Sequence, residues 1–116
     1  MAPDKSPKDP IGEQIYLKVH QRQNKIIYAF ADPEMVGNTY TNGHGLKLVI
    51  RPEFYEGKLI DLEDALDLLK RHNNSNIVGN LAKHAVQRGL IHRDCVLAFR
   101  DENTGKMIYH VMLMRV

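Results

Sequence analysis

The sequence predicts an α+β fold: a single domain with a mostly antiparallel sheet of about five strands and a helical hairpin packed on one face. Three observations lead there. Apolar residues alternate near both ends of the chain as in half-buried strands, and the middle carries apolar residues at helical spacing. With 116 residues and 43% hydrophobic content, the chain can build one core and not two.

Residues 1–12, MAPDKSPKDPIG, are rich in proline and poor in large apolar side chains, so a flexible tail is expected before a globular domain over 13–116. In IYLKVHQ, Ile15, Leu17 and Val19 alternate with Tyr16, Lys18 and His20, the pattern of a strand with one buried face. The polar turn RQN leads into KIIYAFA, β-branched and aromatic, and the two segments read as a hairpin. In DPEMVG, Asp32 can cap, Pro33 suits a first helical position and Gly37 can close a single turn. NTYTNGHG reads as a loop, LKLVI as a third strand, and RPEFYEGK as a connector whose proline discourages helix.

The clearest helix spans 61–72, with Leu62, Ala65, Leu66 and Leu69 on one face. Asp61, Glu63 and Asp64 begin it, and Lys70, Arg71 and His72 end it, as the macrodipole favours. After the link NN, Ser75 is expected to cap a second helix. Ile77, Val78, Leu81, Ala82, Ala85 and Val86 would form its apolar face, opposite Asn76, Asn80, Lys83 and Gln87. Gly89 would end it, with Leu90 and Ile91 packing back. CVLAFRD, the turn ENTG and KMIYHVMLMRV close the chain as a hairpin apolar on both faces, and therefore central or covered.

A net charge of +2 permits contact with phosphate backbones without calling for it. The single cysteine, Cys95, excludes an internal disulfide and suits a reducing compartment. With no signal-peptide core and no stretch of membrane-spanning length, a cytoplasmic protein without a membrane partner is expected.

The chemistry-bearing residue types form few constellations. None of the six histidines lies three or four residues from another, and His92 with Cys95 is only a ligand-like pair, so no metal site is expected. His92, Arg93 and Asp94 spell part of a kinase catalytic loop, but the glycine-rich loop and Asp-Phe-Gly are missing. Ser75 and Cys95 lack a nucleophile elbow, and Cys95, opening an apolar strand, reads as a buried thiol. Glu63, Asp64 and Asp67 serve the helix dipole and solubility. NGHG precedes a strand, whereas phosphate-cradling loops lead into helices. No catalytic residue and no cofactor is assigned. The second helix, showing Asn76, Asn80, Lys83, Gln87 and Arg88, has the outline of a helix-turn-helix reader, although any exposed helix face is polar.

Four segments in order resemble an archaeal family of small proteins, domain of unknown function 424. IYLKVH with its hairpin and ADPEMVGNTY looks like that family's opening, with Asn38 in place of a basic residue and Tyr40 in place of Phe. EFYEG, 53–57, is similar to its Phe-Tyr-x-Gly connector, and SNIVG, 75–79, to its Ala-Asn-x-Val-Gly helix start. YHVMLMR resembles its terminal Pro-His-x-Gln strand, keeping His110 but with Tyr109 for Pro and Met112 for Gln. The resemblance covers about residues 15–116. It implies an archaeal, cytoplasmic setting and leaves room for a link to translation.

The residues support three readings. The first is a non-enzymatic binding module with RNA or a ribonucleoprotein as partner, resting on the amide and lysine face of the second helix (Asn80, Lys83, Gln87), the exposed aromatics expected in EFYEG, and Lys5 and Lys8. The second is a small enzyme or binding protein for a polar or phosphorylated metabolite. It requires Tyr55, Asn76 and His110 to converge beside the free N–H groups of a helix start. The third is a homodimer joined edge to edge through the C-terminal strand. Gly79, expected inside the helix at a cost of about 1 kcal/mol against alanine, implies a close neighbour there, for which EFYEG is the candidate.

Overall fold

The structure is a computed structural model that describes residues 13–71 and 74–114; the tail expected over 1–12, and His72, fall outside them. The hairpin read near the start is present as β1 (Gln14–Arg22) and β2 (Lys25–Ala31), paired Leu17 to Phe30 and Val19 to Tyr28. A single 3-10 turn at Pro33–Met35 follows, with Pro33 at its first position. Next come β3 (Thr39–Thr41), β4 (Lys47–Val49), α1 (Pro52–Tyr55), β5 (Lys58–Asp61) and α2 (Leu62–Lys70). The chain closes with β6 (Asn74–Val78), α3 (Asn80–Gln87), a 3-10 turn at Arg93–Cys95, β7 (Leu97–Arg100) and β8 (Met107–Leu113).

All the strands form one eight-stranded sheet in the order β4-β3-β7-β8-β6-β2-β1-β5. The ladders are antiparallel except β2 with β6, which run parallel with Ala29 opposite Asn76 and Ala31 opposite Val78. The sheet is therefore wider than the five strands expected, and mixed. Two of the additional strands, β3 and β5, are only three and four residues long, too short for a period to register. Proline opens α1 instead of preventing it, because its missing N–H is one that a first helical position leaves unpaired anyway.

The remaining additional strand, β6, replaces the first half of the expected second helix, and this removes the helical hairpin. Ser75 and Ile77 face the helices while Asn76 and Val78 face the other way, so Ser75 is a buried strand residue and not a cap. The helix starts only at Asn80. Its end is as expected: Gly89 at φ 74° lets Leu90 N–H reach Ala85 O and its own N–H reach Val86 O, a glycine-terminated double bond.

The sheet carries a core on each face. On one, α2 and α3 bury Leu66, Leu69, Leu81 and Ala85 against Leu17, Phe30, Ile77 and Val111. On the other, Met35, Tyr40, Ile50 and Tyr55 cover Ala29, Ala31, Val78, Phe99 and Ile108. Strand β8 lies between β7, which pairs with it over Met107–His110, and β6, which pairs with it over His110–Leu113, so it is an interior strand of the sheet. Cys95 is exposed on its 3-10 turn, not buried in a strand. No helix among the described residues is long and apolar enough to cross a membrane.

Candidate functional site

Small residues on β2 make the site. Ala29 and Ala31 leave space above the sheet, and α1 descends into it. Two side chains of β1 fasten that short helix. Lys18 Nζ donates to Glu53 O at 2.7 Å, and the His20 ring stacks on Phe54 at 4.4 Å while its Nε2 lies 2.8 Å from Phe54 O. Gly57 allows the following chain to cross β1, since a Cβ there would collide with the Leu17 carbonyl. The aromatics of EFYEG are consequently half-buried at Phe54 and buried at Tyr55, against the expectation that they are exposed.

From this position Tyr55 Oη donates to Asn76 Oδ1 at 2.7 Å, and His110 Nε2 meets the same oxygen at 3.0 Å. The register explains the meeting. Asn76 stands opposite Ala29 on one side and Met112 on the other, with His110 one pleat along the same face. An amide oxygen only accepts, so His110 carries its proton on Nε2 and leaves Nδ1 a bare lone pair. Burial lowers the His110 pKa below 6.5 and pushes that of Tyr55 up to about 12, which keeps both groups neutral near pH 7. Met112, where the resemblance leads one to expect Gln, is exposed directly across from Asn76.

A second polar contact sits at the corner between β6 and α3. Gly79 holds φ 107° and ψ −149°, a region open essentially to glycine, and its N–H donates to Tyr109 O at 2.8 Å. Its neighbour is Asp32 and not the EFYEG connector: a Cβ on Gly79 would lie 2.5 Å from the Asp32 carboxyl carbon. Asp32 Oδ2 accepts the Asn80 N–H at 3.0 Å, capping α3 from the end of the neighbouring strand β2 and not its own turn. Burial raises the Asp32 pKa to about 6, partly offset by that hydrogen bond and reinforced by Glu34 and Glu13. A carboxylate thus already occupies the helix start that the metabolite reading offered to an anion.

On the helix-covered side, α3 and β7 border a groove of about 260 Å³. Ala82, Val86, Val96, Ala98 and Tyr109 line it with mainly apolar surface, and exposed Lys83, Gln87 and Arg93 stand around it. Among the described residues, neither Lys83 nor Arg93 has a carboxylate partner; the ion pairs formed are Lys70 with Asp67, His84 with Glu13, Arg88 with Glu63 and His92 with Asp94.

The candidate residues therefore divide. Tyr55, Asn76 and His110 come together on one face, Gly79 and Asn80 form the adjacent corner, and Lys83 and Gln87 belong to the groove on the other face. Asn76 belongs to a strand, so it does not share a helix face with Asn80, Lys83 and Gln87. Sequence reasoning missed Asp32 as the distant cap and Arg93 and Tyr109 as groove residues. Nothing local marks these three roles, because each depends on which strands are neighbours. Among the described residues no group of three or more His, Cys, Asp or Glu side chains is placed to hold a metal ion.

The fold is similar to a crystal structure described as an uncharacterized conserved protein from Methanopyrus kandleri, with 18% sequence identity, 89% of this chain and 96% of that chain covered, and a TM-score of 0.55. At that identity the likeness is one of fold. No curated protein matches the chain in sequence. All four segments that carried the family resemblance meet around Tyr55, Asn76, Gly79 and His110. Residues 19–110 match the family described as "Protein of unknown function (DUF424)", and the chain belongs to that family.

Proposed function

We propose that the protein is a non-enzymatic binding module whose partner is single-stranded RNA. The groove between α3 and β7 is the observation that supports this: an apolar slot containing Tyr109, flanked by two cations, Lys83 and Arg93, that no carboxylate neutralises among the described residues. Unpaired bases stack on aromatic side chains while their phosphates pair with Lys and Arg. The groove's size suits a single base, not a duplex, and Gln87 adds an amide that can read a base edge.

A salt titration with a single-stranded RNA oligonucleotide tests the reading. Two phosphate contacts give a slope of log K against log salt of about −1.4, and Lys83→Ala or Arg93→Ala each reduces its magnitude by about 0.7. No binding at low salt, or a slope indifferent to both substitutions, refutes it.

The convergence of Tyr55, Asn76 and His110 favours a second reading, a ligand held on the opposite sheet face. The capped start of α3 narrows that ligand to one without a phosphate. Protection against thermal unfolding by such a ligand would be lost in Asn76→Ala.

A further inference from the structure

We propose that single-stranded RNA leaves the groove across the bare half of the same sheet face, where Arg100 and Lys47 take further phosphates and Met107 supports a base. The proposal rests on the groove reading above and extends it from one base to a track of several nucleotides over β7, β3 and β4.

The helices cover only part of their side of the sheet. The core beneath α2 and α3 takes residues from β1, β2, β6 and β8 and, among the described residues, none from β7, β3 or β4. Those three strands bury one face only: Phe99, Tyr40 and Leu48 enter the opposite core. Alternation therefore turns Arg100, Thr41, Lys47 and Val49 toward the helix side, all exposed except half-buried Thr41.

Register joins this bare half to the groove. Lys47 pairs with Thr41, Thr41 with Arg100 and Arg100 with Met107, a row across four strands. One pleat along, Ala98 pairs with Tyr109, and both line the groove. The backbone of Arg100 thus stands about 7 Å from that of Ala98, and Lys47 about 10 Å farther across the sheet.

Charge decides the occupant. β3, β4, β7 and β8 hold no Asp or Glu, and among the described residues neither Lys47 nor Arg100 forms an ion pair. Glu102, the carboxylate bordering the row, lies past the end of β7 and accepts the Thr41 hydroxyl at 3.1 Å. With Lys83 and Arg93, four cations follow one path over a surface that also offers Tyr109 and exposed Met107. A second copy of this chain docking here would bring like charges together, whereas RNA alternates phosphates with apolar base faces. An uncovered sheet face with bases lying on its side chains is a recurring way to hold unpaired RNA.

Salt titrations of the full chain with oligouridylates of about three and about eight nucleotides test the track. The groove alone gives the shorter one a slope of log K against log salt of about −1.4, and two added contacts take the longer one to about −2.8. Lys47→Ala and Arg100→Ala should each remove about 0.7 from the longer oligonucleotide's slope and leave the shorter one's unchanged. The Met107 methyl resonance should move with the longer RNA, while that of Met112, on the opposite face of β8, should not. Equal slopes at both lengths, with Lys47→Ala and Arg100→Ala silent, overturn the track and leave the groove standing. No binding of either RNA overturns the groove reading and the track with it. Met107 shifts that follow protein concentration without RNA mark self-association on this face and also overturn the proposal.

Discussion

Replacing Asp32 with asparagine should make the protein more stable, and by an amount that depends on pH. The native carboxyl is only 4% exposed, and burial raises its pKa from 3.8 to about 6. Below 3.8 the folded and unfolded chains both hold the proton, and the group adds no penalty. Between 3.8 and about 6 the unfolded chain has released it while the folded one retains it, so stability falls as pH rises through this window. Above it the loss is complete, about 3 kcal/mol for this displacement. The amide introduced by Asp32→Asn does not titrate yet keeps an oxygen for the Asn80 N–H, so the cap survives. Urea unfolding of both proteins at about pH 3.5 and about pH 8 should therefore show a stability difference that shifts by about 3 kcal/mol in favour of Asp32→Asn at the higher pH. Parallel pH profiles would refute the buried, proton-holding carboxyl.

Gly79→Ala combines a forbidden backbone region with a collision on Asp32 and should cost about 3 kcal/mol or more, read from the urea midpoint. Adding Asp32→Ala should recover part of that loss but not the backbone part. Tyr55→Phe removes the donor to Asn76 Oδ1 and should lower stability by about 1 kcal/mol, while the proton on His110 Nε2 stays in place. Arg88→Ala breaks a two-pronged contact with Glu63, at 2.9 and 2.7 Å, on the exposed surface; no change in Tm beyond measurement error is expected, although the Glu63 pKa, now lowered by Arg88, should return toward its ordinary range.

The β1–β2 hairpin, α2 and the Gly89 helix end were legible in the sequence because their determinants are local: alternation around a polar turn, a periodic face with charged ends, and a glycine past the last turn. Segment 74–79 was not. Ile77 and Val78 fall at helical spacing from Leu81 and Ala82, and it is the ladders with β2 on one side and β8 on the other that make them a strand whose two faces enter two different cores. The trio Tyr55, Asn76 and His110 could be named as residue types able to converge. How they meet could not, since it needs the alanines of β2, the fastening of α1 by Lys18 and His20, and the register across β6 and β8. Asp32 shows the same limit. Its place before Pro33 marks a local cap, yet its partner is Asn80, 48 residues on, beyond the end of the neighbouring strand β6.

The parallel pairing of β2 with β6 also orders the events of folding. The β1–β2 hairpin can zip from its own turn, but the next strand beside it is not the next in the chain: everything between Ala31 and Asn74 must first be gathered into a loop. β8 can zip locally with β7, but the oxygen that orients His110 comes only with its pairing to β6. The centre of the sheet thus carries a loop-closure cost that neither the β1–β2 hairpin nor the helices carry.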